Sequence, residues 1–371
     1  MARRPARGVL VCFAVWAAIT SFAQQTNGVD KPGSVAAPAP LRAAPSRPTR
    51  LWSFSRMRGI DYVALRDVAE RFSLKPAWTK ASLVQTLNDV HGIRFIFESN
   101  QRDFYFDGAR IFLGAPVLYE KGTLWLSKLD LIKIVAPLYR PFDLAAHLPA
   151  TIPRVIVLDA GHGGIDPGTQ NQKLGLSEKT FTLDVVLRLT KLLEASGWRV
   201  LLVRDKDTEL SKDKKTDLLM RDEVANRNNA DLYLSVHFNS AGPAVAGVET
   251  YTLAPQFMFS AGDELGDDMT KVAYPGNQLD YANLLFGEQL HRAMIAGLKT
   301  PDRGYKHARK AVLRMLNCPG ALVECAYLSN DAEARRVATP EFRQKIAESL
   351  AIGIRNYSDA LAVARPPTGP Q

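Results

Sequence analysis

Cysteine is scarce in this 371-residue chain, with only Cys12, Cys318 and Cys325. Three cannot frame a disulfide-stapled fold. The short metalloprotease signature H-E-x-x-H is missing. The stretch Gly161-His162-Gly163 lacks the third glycine of a dinucleotide loop, because Asp166 stands in its place. Beyond the N-terminus no apolar run is long enough to span a bilayer. The net charge of +9 invites a nucleic-acid partner, but no recognition motif accompanies it. What is present is a globular composition, 46% hydrophobic and 23% charged, which excludes wholesale disorder. The length suits two domains.

Residues 1–7 carry Arg3, Arg4 and Arg7 and no acid. Residues 8–23 are uncharged and mostly apolar, and Ser21 and Ala23 are small where a signal peptidase reads. The apolar run is about 16 residues, short of the roughly 20 that span a membrane. A cleaved signal over 1–23 is expected, followed by an exported protein in the periplasm or cell-wall space. Losing its three arginines takes the net charge from +9 to +6, and one cysteine leaves with it. Residues 24–50 are rich in Pro, Ala, Gly and Ser and cannot bury a core, so they read as a tether.

Over 51–141, short apolar runs such as Phe104-Tyr105-Phe106 alternate with turn signals at Asp107-Gly108 and Lys121-Gly122. An internal repeat shows at an offset of 63 residues. Gly59-Ile60-Asp61-Tyr62-Val63-Ala64 matches Gly122-Thr123-Leu124-Trp125-Leu126-Ser127. Each half leads into a helical stretch, with Asp67 and Asp130 in matching places. The pattern predicts a small α+β accessory domain. It resembles the domain named after the N-terminal domain of copper amine oxidases. His91 is its only histidine, so no metal set is expected there. A packing module, or one that contacts the wall or an activator, is expected instead.

Residues 142–152 read as a linker, and 153–361 as a second domain. There Val155-Ile156-Val157-Leu158 has the texture of a strand buried on both faces. Phe181, Val185, Leu189, Leu192 and Leu193 keep helical spacing, with a stop at Gly197. Further strands are expected at 199–203, 231–237, 247–253 and 321–324, and helices at 218–228 and 277–298. Thr339 caps a last helix with Pro340 at its first position. The alternation predicts an α/β fold with an open, mostly parallel sheet and flanking helices.

Ligands in such sheets gather beyond the carboxyl ends of the strands. His162 follows one strand and His237 ends another. Glu178 opens a helix, where the dipole favours a carboxylate. Two imidazoles and a carboxylate suit a catalytic zinc, with a fourth position left to water. Glu324 ends the run Ala321-Leu322-Val323, where a carboxylate is costly unless paired or used. Beside zinc-bound water it would serve as a general base. The plainer alternatives are structural histidines, a glutamate serving only the helix dipole, and Glu324 as a partner of Arg221 or Arg303.

Six stretches then fall in order. They are Leu158-Asp159-Ala160-Gly161-His162-Gly163-Gly164 with Asp166-Pro167-Gly168, Ser177-Glu178-Lys179, and Leu218 with Arg221, Ala225 and Asn226. Ser235-Val236-His237-Phe238-Asn239, Gly247-Val248-Glu249-Thr250-Tyr251, and Leu322-Val323-Glu324 with Leu328-Ser329-Asn330 complete the set. Together they resemble the zinc-dependent N-acetylmuramoyl-L-alanine amidases of the type-3 family. The resemblance implies one zinc ion on His162, Glu178 and His237, with Glu324 as the catalytic glutamate. It implies peptidoglycan as substrate, cut between N-acetylmuramic acid and L-alanine. A zinc hydrolase of another wall amide and a wall-binding protein without catalysis are the alternatives. A monomer is expected, with no nucleic-acid partner and no membrane insertion once the signal is removed.

Two departures stand out. Cys325 occupies a place where the family has a small residue. Residues 254–276 are long and acidic, with Asp263, Glu264, Asp267 and Asp268. Some relatives carry an inhibitory helix over the zinc, so a lid is one expectation here and a surface loop the other. Asp159, Asp166 and Asn239 are expected behind the ligands. His91, His147, His291 and His307 read as surface or packing residues. Cys318 and Cys325 flank a strand that keeps them beyond the ~7 Å bridging limit, so both are expected as free thiols.

Overall fold

The computed structural model describes residues 52–261 and 268–364. The expected signal, the tether and the middle of the acidic stretch lie outside them. No described helix is long and apolar enough to cross a membrane.

The two halves of the repeat pair with each other. Strand Ile60–Ala64 runs antiparallel to Thr123–Ser127, with Val63 opposite Leu126. These are equivalent positions of the repeat, so a local twofold axis passes through that pair. The outer strands obey it too. Ser55–Met57 flanks the first half and Leu118–Glu120 the second. Each central strand runs straight into helix, Leu65–Phe72 in one half and Lys128–Asp130 in the other. Alternation sends Val63, Leu124 and Leu126 into a core shared with Phe95, Phe97 and Phe104. The rings of Phe97 and Phe104 stack at 5.0 Å. The matched carboxylates diverge. Asp130 is buried and accepts from the Gly114 and Ala115 N–H groups at 2.7 and 3.1 Å and the Ser127 hydroxyl at 2.6 Å. Asp67 is half-exposed.

In the second region, strands Arg199–Leu202, Val155–Ala160, Leu232–Asn239 and Gly320–Tyr327 lie parallel in that order. Val248–Leu253 then joins antiparallel, and Asp302–Ala308 lies parallel to it. The sheet is therefore mixed. Helices Glu178–Ala195, Asp280–Leu298 and Pro340–Ala364 cover one face, over Ile156, Leu158, Val236 and Val323. Helices Lys214–Arg227 and Ala311–Arg314 cover part of the other, over Val157, Tyr233 and Leu322. Cover on both faces explains the unbroken apolar runs. Each fully buried Leu or Val contributes about 1.5–3 kcal/mol. The helix at 214 begins earlier than its apolar spacing suggests, because Asp213 accepts from the Thr216 N–H at 2.9 Å.

The sheet does not end at Asp302–Ala308. That strand pairs parallel with Ala109–Phe112, with Tyr305 opposite Ile111. Asp103–Phe106, Arg94–Glu98, Val84–Asn88 and Lys75–Lys80 follow antiparallel, giving eleven strands in all. The seam is tied by the Arg110 N–H on Asp302 at 2.8 Å. Arg292 adds bonds to the carbonyls of Phe106 and Asp107 at 2.7 and 2.9 Å. The stretch expected as a linker is built in. Pro141–His147 forms 3-10 turns, and Leu148 joins the core of the second region.

Because Val248–Leu253 is antiparallel to Gly320–Tyr327, it ends at the sheet edge opposite the carboxyl ends of the parallel strands. The acidic stretch starts from that far edge. Met258 is buried in the N-terminal core, and Arg309 holds its carbonyl at 2.7 Å. Thr270 and Lys271 return beside Phe257 and Gln256. Of these described ends, the first is anchored in the N-terminal core through Met258, and the second is exposed over 271–273.

Candidate metal centre

Three elements meet beyond the strand ends. The first is the loop after Val155–Ala160. A Cβ on Gly161 would strike the His237 ring, so glycine lets the loop pass that close. His162 then takes a left-handed φ of 63°, uncommon outside glycine and asparagine. Its Nδ1 lies 2.8 Å from Asp166 Oδ2, which Lys214 also bonds. The Gly168 N–H fixes the other Asp166 oxygen at 3.1 Å.

Buried arginines brace the loop from below. Arg221 donates to Asp159 at 2.7 Å, to Asp217 at 2.8 Å and to the His162 carbonyl at 2.9 Å. Asp159 also accepts the Tyr233 and Ser235 hydroxyls, at 2.8 and 2.7 Å. Burial alone would raise the Asp159 carboxyl, but Arg221 and these hydroxyls hold it below the ordinary range. Arg204 bonds the carbonyls of Ala160, Gly161 and Lys179, tying the loop to the start of the next helix.

Glu178 opens that helix with its side chain buried. One oxygen accepts the Phe238 N–H and faces His237 Nδ1, both at 2.9 Å. The other accepts the Thr169 N–H at 2.7 Å and faces His162 Nε2 at 3.1 Å. One ligand atom from each of His162, Glu178 and His237 lies within 4.8 Å of the others. Burial would push the Glu178 carboxyl up, yet the two histidines hold it well below the carboxylate range. Two ring nitrogens and a carboxylate oxygen so close together match the donor set of a catalytic zinc site.

Glu324 lies alongside. In the sheet it is opposite His237 on one neighbouring strand and Glu249 on the other. It is buried, and its Oε2 has no hydrogen-bond partner among the described residues. Burial pushes its pKa up to about 7, opposed by His237 and reinforced by Glu178. A buried carboxylate with a free oxygen can exchange a proton near neutrality. The expected arginine partners are elsewhere. Arg221 is engaged with Asp159 and Asp217, and Arg303 faces Glu249 and Tyr327.

Glu249 is the residue that motif reasoning passed over. It accepts from the Tyr251 and Tyr327 hydroxyls, both at 2.5 Å, from Lys306 at 2.6 Å and from Asn239 at 2.9 Å. Asn239 therefore supports Glu249 and not a ligand. The available signal was an acid inside a buried strand, the same signal that singles out Glu324. Of the remaining histidines, His91 and His147 are exposed. His291 is buried between Thr250 and Asp302, and His307 beside Thr252. Cys318 and Cys325 are both free and buried, as expected.

A family model described as N-acetylmuramoyl-L-alanine amidase matches residues 156–356. An uncharacterized cell wall amidase of Bacillus anthracis is 30% identical over 208 residues, covering 55% of this chain and 35% of its own. The AmiA amidase of Escherichia coli is 29% identical over 226 residues, covering 55% of this chain and 76% of its own. The germination-specific amidase of Bacillus subtilis is 30% identical over 213 residues, covering 55% and 79%. The solved N-acetylmuramoyl-L-alanine amidase of Clostridium difficile 630 aligns with 57% of this chain and 99% of its own, at 25% identity and a TM-score of 0.46.

Proposed function

The chain belongs to the N-acetylmuramoyl-L-alanine amidase family, and from that premise we propose that it is a single-zinc hydrolase of peptidoglycan. The bond cut is the amide joining N-acetylmuramic acid to L-alanine. The observation that carries the zinc assignment is the convergence of His162, Glu178 and His237 within 4.8 Å. Such a set leaves a fourth position for reactants. When bound, the ion supplies Lewis acidity to the attacking water and the scissile carbonyl.

The rest is done by side chains. Asp166 accepts a hydrogen bond from the Nδ1–H of His162 and so leaves Nε2 as the ligating atom. Glu178 stays ionised between its two imidazoles. Glu324 accepts the proton of the attacking water at Oε2 and passes one to the departing L-alanine nitrogen. A pKa of about 7 suits both transfers. Export by the segment 1–23, action as a monomer, and a wall or activator contact through the accessory region belong to the same proposal.

Digestion of purified peptidoglycan followed by mass spectrometry tests it. Intact stem peptides with a free L-alanine amino terminus are expected, lost with chelator and restored by zinc. Cuts inside the peptide would support the other wall-amide hydrolase instead. Wall binding without any cut would support a non-catalytic protein.

A further inference from the structure

A strip of paired charges and rings leads away from Glu324 across the sheet. Glu249 is its register partner. Lys306 bonds Glu249 at 2.6 Å and stands 5.0 Å from the centre of the Phe112 ring. Arg110 stands 4.9 Å over the same ring and bonds Asp103 at 2.9 Å. Arg303 closes on Glu249 from the sheet edge at 3.4 Å. The strip thus runs without a break from the metal centre onto Ala109–Phe112, a strand of the N-terminal region.

Its character changes along the way. At the centre the acids dominate. Farther out each cation has an acid beside it, Arg110 with Asp103 and Arg303 with Glu249, and the two arginines reach water. The side chains of Arg303 and Arg110 are 38% and 32% exposed, whereas that of Glu249 is 3% exposed. From Gly320–Tyr327 to Ala109–Phe112 is three strand spacings, about 14 Å, the reach of roughly four extended residues. The substrate proposed above has a short peptide beginning at the cut bond and carrying free carboxylates. Its length matches the strip, and its carboxylates can compete with Asp103 and Glu249 for the two exposed arginines.

We propose that this strip is the stem-peptide subsite, and that Arg110, over Phe112, binds a substrate carboxylate remote from the cut bond. The N-terminal region is then part of the substrate site. The inference rests on the amidase reading, and its test separates the two.

The full chain is assayed on a soluble muropeptide with free stem carboxylates and on its carboxamide counterpart. For the carboxylate substrate, Arg110→Gln is expected to raise KM about tenfold with kcat within about twofold, and Arg110→Lys to restore most of it. For the carboxamide the wild type already shows the higher KM, and Arg110→Gln adds nothing. Equal KM for both substrates in wild type and Arg110→Gln, with unfolding unchanged, overturns the subsite and leaves the amidase standing. Should Arg110→Gln fail to fold, Phe112→Ala takes its place with the same expected selectivity. If the wild type cuts neither substrate, the amidase reading fails. Calorimetric binding of the free stem peptide to wild type and Arg110→Gln then decides the strip alone, a tenfold weakening supporting it and equal binding overturning it.

Discussion

Asp130 in the N-terminal region and Glu324 beside the candidate metal centre are both withdrawn from water, and burial raises both carboxyls. Their surroundings differ. Asp130 is met by two backbone N–H groups and a hydroxyl, all from its own region. Glu324 keeps one oxygen without a donor, next to three convergent ligand atoms. Buried acceptors in folded proteins are nearly always satisfied. Burial alone therefore does not mark a working group. The proposed role of Glu324 rests instead on an unmet acceptor beside three candidate ligands.

That contrast can be broken in several ways. Glu324→Gln should lower kcat by about 10²–10⁴-fold while one zinc stays bound by elemental analysis. His162→Ala should lose both the metal and turnover. Full activity in folded Glu324→Gln would falsify the catalytic half of the comparison. Asp130→Ala should instead cost about 3 kcal/mol in a denaturant titration, because the Gly114 and Ala115 N–H groups lose their acceptor. Turnover per folded molecule should be unchanged.

The pH dependence of stability gives a smaller effect. Glu324 keeps its proton to about pH 7 when folded, against an ordinary value of 4.5. The folded state thus binds the extra proton between those values, and stability falls as pH rises through that window. In chelator, Glu324→Gln should overtake the wild type by about 2 kcal/mol above pH 7 and lose that lead near pH 4. The smallest effect belongs to Asp67, which matches Asp130 in the repeat but is half-exposed beside Arg66. Asp67→Ala should change stability by less than about 0.5 kcal/mol in the same titration.

The candidate ligands and base were legible because each stands where an apolar run or loop meets an element end. Sequence carries such interruptions locally. The repeat was legible for a similar reason, and the pairing of Val63 with Leu126 gives it a geometric meaning. Arg204 and the Lys306, Tyr327 and Asn239 partners of Glu249 were not, since those contacts come from distant segments. Nor was the seam between the two regions. A parallel pair needs no turn to announce it, and Ala109–Phe112 looks like one arm of an ordinary hairpin. The boundary at 142–152 was drawn from composition, which does not report that Leu148 enters a core.

The seam also has a consequence in time. Synthesis delivers Arg110 long before Asp302, its bonding partner 192 positions later. Until that partner arrives, strand Ala109–Phe112 is an open edge that a second nascent copy can join. Closing so long a loop is slow. The pairing of Ala109–Phe112 with Asp302–Ala308 is therefore expected late in folding, and refolding followed by pulse-labelled amide exchange should protect those strands after the hairpins around them.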